Sequence, residues 1–187
     1  MDAIGAEFAK TDPRVRAVPA VDRSIYRINR DIRFSHDKSP YKTHADLLFW
    51  IGVDRKAAPA YFLRLIPGSV WIGGGMHELT DEQLFRYRRA VASPNRGPQL
   101  EAIVEAARAD GLEVGGDTLK RIPAGFSAEG LSAELIRYKW LHAIRKVSPP
   151  PPEFAGAEFV AWCMGEFGRV TPLVDWLAEM TEGVDTL

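Results

Sequence analysis

Along the first half of the chain, apolar and polar positions alternate; along the second they recur every three to four residues. In an extended chain, successive side chains point to opposite faces. Over residues 26–34 that places Tyr26, Ile28, Ile32 and Phe34 on one face, with Arg30 among them. Arg27, Asn29, Asp31 and Arg33 fall on the other. The pattern predicts a strand with an apolar face and a charged face. Residues 35–40, Ser-His-Asp-Lys-Ser-Pro, carry turn chemistry. A continuous apolar run at 47–51, closed by Gly52, predicts a buried second strand within 45–53, antiparallel to the first. Residues 61–66 and 70–72 flank Pro67-Gly68-Ser69 and predict a hairpin, with Gly73, Gly74 and Gly75 at its end.

From Thr80 the period becomes helical. Thr80 and Gln83 have the spacing of a capping box, and Leu84, Tyr87 and Val91 follow on one stripe. A second helix starts near Pro98, carries Leu100, Ile103, Val104 and Ala107, and stops at Gly111. Leu131, Leu135, Tyr138 and Leu141 predict a third, with Arg145 and Lys146 in its last turn. Four prolines at 149–152 form a stiff connector. A fourth helix is expected from about 153 to 167. Thr171-Pro172 reads as the cap and first residue of a fifth.

Strands followed by helices predict an α+β fold. About four antiparallel strands in the N-terminal half would pack against about five helices in the C-terminal half. The length of 187 residues suits one domain, 1–187, with 1–22 as a weakly structured lead-in. Single Cys163, in an apolar helical context, excludes an internal disulfide framework and fits a cytoplasmic protein. No apolar run reaches the ~20 residues of a membrane span. No motif specifies a cofactor or an oligomeric state.

Charge sharpens the picture at one place. Residues 23–44 hold six Lys/Arg and two Asp/Glu, a balance of +4 in a chain whose net charge is −1. A local basic patch on a mildly acidic chain points to a specific anion site. Arg27, Arg33, Lys38 and Lys42 are the candidate cations, with Tyr41 as a neutral donor. Gly73, Gly74 and Gly75 add backbone N–H groups without side chains. Arg30, embedded in the apolar face, needs a carboxylate (Asp37 or Asp46) or an anionic ligand. Asp31 and Asp37 are the candidate acid/base groups for phosphoester chemistry, although neighbouring arginines lower their pKa. His44 and Asp46 at i, i+2 are the basis of a rival metal reading, which the surrounding cations oppose. Two further readings compete. In one, the stretch is an internal ion-pair network of a non-catalytic module; in the other, it binds nucleic acid through the basic turn.

The residues Arg27, Arg30, Asp31, Arg33, Phe34, Asp37, Lys38 and Tyr41 fill every fixed position of R-x-x-R-D-x-R-F-x-x-(D/N)-K-x-x-Y. In this the chain resembles a mostly bacterial family of domains of unknown function. The resemblance extends through Lys42, Thr43 and His44, the three glycines, Leu119-Lys120-Arg121-x-Pro123-x-Gly125-Phe126, Lys139 and Pro172-x-x-x-Trp176-Leu177. It therefore covers most of the chain. Members carry a helical segment before the signature, so the resemblance implies a short or missing N-terminal segment here. It implies no activity.

Overall fold

The computed structural model of the protein describes residues 1–34 and 36–182. Its centre is a six-stranded sheet in the order β1-β2-β3-β4-β6-β5, with every neighbouring pair antiparallel. The strands are β1 (Val15–Arg16), β2 (Ala45–Ile51), β3 (Ala60–Ile66), β4 (Ser69–Met76), β5 (Glu113–Gly115) and β6 (Leu141–Val147). The helices are α1 (Asp2–Thr11), α2 (Asp81–Val91), α3 (Arg96–Ala109), α4 (Gly130–Leu135) and α5 (Phe159–Glu182). The fold is α+β. Among the described residues, no helix is long and apolar enough to cross a membrane.

Strand period decides which face is covered. Phe49, Tyr61, Leu63, Val70 and Ile72 are buried beneath the helices. Their neighbours in sequence, Leu48, Phe62, Arg64 and Trp71, point to the opposite face and are only half-buried. The long helix α5 crosses β4 at close range because Gly74 has no side chain. A Cβ there would lie 2.7 Å from Val174 and 3.0 Å from Val170. The expected hairpin is present: β3 and β4 pair from Ala60↔Gly75 to Ile66↔Ser69 around the Pro67-Gly68 turn. The capping box at the start of α2 also forms, with Thr80 and Gln83 satisfying each other's backbone N–H groups.

Four expectations need correction. First, residues 26–34 are not a strand. Among the described residues they make one isolated bridge, Asn29↔Tyr41, next to Ile25↔Leu47 just before them. Phe34 is 94% exposed and Ile28 57% exposed, so the alternation marks no core face. Second, the stripe through Leu141 does not continue as helix. The helix α4 stops at Leu135, and Leu141–Val147 is the strand β6, paired on both sides. Leu135, Tyr138 and Leu141 fit a helical period, but from Leu141 onward the burial alternates. Third, the break at Thr171-Pro172 does not exist: α5 runs through Pro172. Proline removes one backbone donor there, yet residues before and after it (Cys163, Phe167, Leu173, Leu177) are buried in one core. Tertiary burial outweighs the local cost. Fourth, the halves are less segregated than expected, because α1 lies at the N-terminus and β5 and β6 lie among the later helices.

In the N-terminal lead-in, the pattern at residues 3–10 suits a short helix, and α1 forms there. Helix α1 buries Ile4 and Phe8. The Phe8 ring lies 5.3 Å from Phe49, 4.8 Å from Tyr61 and 5.3 Å from Phe167. Full burial of one such side chain is worth about 1.5–3 kcal/mol.

Candidate functional site

Residues 27–44 leave the edge of β2 as a basic loop. The backbone of Tyr26 donates to Asp46 O at 3.0 Å, which anchors the loop to the sheet. Further out, Arg30 N donates to Pro40 O and Lys42 N to Ile28 O, so the two limbs of the loop are paired. The tip is exposed.

Each arginine of the signature meets an aspartate of the same neighbourhood. Arg27 Nε donates to Asp22 at 2.7 Å, and Arg33 Nε donates to Asp31 at 2.9 Å. Arg30 pairs with Asp37, one of the two carboxylates expected for it, and is half-buried rather than enclosed. Lys38 Nζ donates to Ile32 O at 2.9 Å. Tyr41 is exposed. Lys42 lies 5.8 Å over the Tyr26 ring. The Arg33 guanidinium holds the Asp31 carboxyl below the usual carboxylate range. Hydrogen bonds from Ser39, with Arg30 beside them, do the same to Asp37. Both are therefore poor general acids.

A groove of about 410 Å³ lies on the uncovered face of the sheet, beside the base of the loop. Arg27, Arg33, Lys38 and Tyr41 are not among the residues that line the groove in which Gly74 and Gly75 lie. Its floor is the backbone of Gly74 and Gly75 with Phe62 of β3 and Ile144 of β6. A Cβ on Gly75 would lie 2.3 Å from Leu141 O, and Gly75 has φ +148°, so this position admits no side chain. The strand carrying these glycines is paired on both edges. Its N–H groups therefore run along the sheet into the ladders, and the glycines serve as a bare floor rather than an anion nest.

One end of the groove is closed by a charge pair. Asp46, 6% exposed, accepts from Arg64 Nε at 2.6 Å and from Arg64 Nη2 at 3.0 Å. The Arg64 guanidinium also lies over Phe62 at 5.3 Å and Trp71 at 5.5 Å. His44 Nε2 stands 3.4 Å from Asp46, behind this pair. Asp46 is thus committed to Arg64. Among the described residues no three His, Cys, Asp or Glu side chains gather as a metal would require.

The wall opposite is the connection between β2 and β3, with Arg55, Lys56 and Ala57 lining the groove. Arg55 Nη1 donates to Arg23 O at 2.6 Å, and its guanidinium lies 4.9 Å over the Tyr26 ring. Among the described residues neither Arg55 nor Lys56 has a carboxylate within salt-bridge distance. Ala57 and Glu78, both lining residues, have φ of 50° and 58°, a conformation L-residues seldom adopt. The Gln83 side chain donates to Ala57 O at 2.9 Å and fixes this wall to the start of α2. His142 of β6 completes the lining, and its burial lowers the imidazole pKa, which keeps the ring neutral.

Of the candidate site residues singled out from the sequence, Gly74, Gly75 and Asp46 line this groove. Arg55, Lys56, Arg64 and His142 carried no signal, because they belong to no motif and come together only through strand register. Two sequence facts bear on the far end: Asp46 follows His44 at i+2, and Arg64 is a lone charge in an otherwise apolar strand.

The profile of the family described as conserved hypothetical protein (DUF2461) matches residues 1–176, and the chain belongs to that family. This agrees with the resemblance read from the signature. No curated protein and no solved structure matches the chain.

Proposed function

We propose that this member of the DUF2461 family binds a small anionic ligand in the groove on the open face of its sheet, with the basic loop as a flank rather than as the binding surface. One observation carries the reading. Arg55 and Lys56 line a concave surface without a carboxylate partner, whereas Arg27, Arg30, Arg33 and Arg64 each have one. A guanidinium held by a backbone carbonyl and an aromatic face, with no carboxylate at salt-bridge distance among the described residues, is preorganised for an anion. The role is recognition. Asp31 and Asp37, the carboxylates considered for phosphoester chemistry, lie on the exposed loop and are held ionised by their partners.

A second reading concerns the loop itself. Three arginine–aspartate pairs within sixteen residues, Arg27–Asp22, Arg30–Asp37 and Arg33–Asp31, support a structural role in which the signature sets the loop's shape. The two readings are compatible, because they concern different surfaces.

Thermal-shift screening against small carboxylates, phosphates and nucleotides tests the proposal, since a ligand specific to the native state raises apparent stability. Arg55→Gln with Lys56→Gln is expected to abolish the shift, and Arg27→Gln with Arg33→Gln to preserve it. The reverse pattern would return the site to the loop.

A further inference from the structure

The groove also constrains the class of anion, an inference that rests on the reading above. We infer that its ligand is an apolar, planar monocarboxylate, and not a phosphate ester or a nucleotide. Three features point this way together.

The first is charge. Counting Arg, Lys, Asp and Glu side chains, the lining holds three cations (Arg55, Lys56, Arg64) and two carboxylates (Asp46, Glu78), which leaves one positive charge over. His142 adds none, because burial keeps its imidazole neutral. One negative charge is therefore neutralised. A phosphate monoester carries close to two at neutral pH, and the second finds no further Arg or Lys in the lining.

The second is donor geometry. Arg55 Nη1 is taken up by Arg23 O. Its Nε and Nη2 have no partner among the described residues. Together these two N–H groups form a planar fork, which matches the two oxygens of a carboxylate.

The third is the floor. The backbone of Gly74 and Gly75 carries no side chain, and Phe62, Ile144 and Leu48 flank it. A planar apolar body laid there removes apolar surface from water at roughly 25 cal/mol per Å². A ribose or a sugar phosphate would bring hydroxyls to a floor whose N–H and C=O groups are spent in the ladders. A volume of about 410 Å³ accepts a two-ring body and excludes a polymer.

A matched series on one ring system tests this by titration calorimetry of the full chain: 2-naphthoate, 2-naphthyl phosphate and uncharged 2-naphthamide. Expected is binding of 2-naphthoate at least tenfold tighter than either of the others, reduced at least tenfold in Arg55→Gln. Tighter binding of 2-naphthyl phosphate would overturn the monocarboxylate class and leave the anion site standing. Equal binding of 2-naphthamide and 2-naphthoate, or indifference to Arg55→Gln, would remove the anion site as well. If none of the three bound the wild-type protein, both would fall. The comparison among ligands on wild-type protein stands even if a variant is poorly folded.

Discussion

The basic loop and the groove lie side by side and use the same residue types to opposite ends. In the loop, arginines and aspartates alternate in sequence and find each other locally: Arg33 reaches Asp31 two positions away, and Arg30 reaches Asp37 seven away. Its three arginines are answered by aspartates, Lys38 donates to Ile32 O and Lys42 lies over the Tyr26 ring, and most of these side chains are exposed. In the groove the partners are distant in sequence. Asp46 and Arg64 meet only because β2 and β3 pair in that register, and Arg55 is held by Arg23 and Tyr26 across 32 and 29 positions. There, as in the loop, cations exceed carboxylates, but the surface is concave. A dense charged motif is thus no guide to where charge is available. What matters for binding is the charge left over after folding has paired the rest.

The largest effect that would sharpen this contrast is on the groove floor. Gly75→Ala places a Cβ 2.3 Å from Leu141 O at a residue with φ +148°. It is expected to destabilise the fold by about 3 kcal/mol, read from the urea midpoint. An unchanged midpoint would mean that β4 and β6 are not so closely apposed.

Next is the charge pair at the groove's end. Asp46→Ala leaves Arg64 without its carboxylate in a half-buried place. Removing one member of a buried pair costs about 3–5 kcal/mol, and partial exposure of Arg64 brings the expected loss to about 2 kcal/mol. A neutral outcome would show that Arg64 finds water as easily as Asp46.

His142 supplies a pH signature. Its folded-state pKa is lowered from 6.5 by burial, so the unfolded chain takes up the proton first. The contribution to stability is full above the unfolded value. It is lost as pH falls through the folded one. Urea unfolding of wild type from pH 8 to pH 5 should therefore lose stability that His142→Gln does not lose. Parallel curves would contradict the burial of this ring.

The smallest effect is expected at the loop. Arg33→Gln removes an exposed pair with Asp31, and the urea midpoint should not move measurably. A clear loss would make the loop's ion pairs structural in a stronger sense than their exposure suggests.

These regions also differ in how far the sequence reveals them. The hairpin at Pro67-Gly68 and the capping box at Thr80 and Gln83 are local, and both are present as read. Asp37 was one of the two carboxylates expected for Arg30, and the pair forms even though the apolar face that suggested it does not. Residues 26–34 misled because alternation implies a strand only where a sheet edge can accept it. The β2 edge is met only by Val15–Arg16 and by residues 24–26. Strand β6 was hidden by three residues at helical spacing just ahead of it, and its neighbours β4 and β5 are 67 and 27 positions away at Gly75↔His142 and Gly115↔His142. The groove was hidden for the same reason, since non-local register assembles it.

The account stands most directly on where an anion binds. Backbone amide shifts of the nitrogen-15-labelled protein, titrated with 2-naphthoate, would map it residue by residue. The expected result is that shifts concentrate at 46–48, 55–58, 62–64, 74–78 and 142–144, with residues 27–42 nearly still. Shifts confined to 27–42, with the sheet face unchanged, would contradict the central claim.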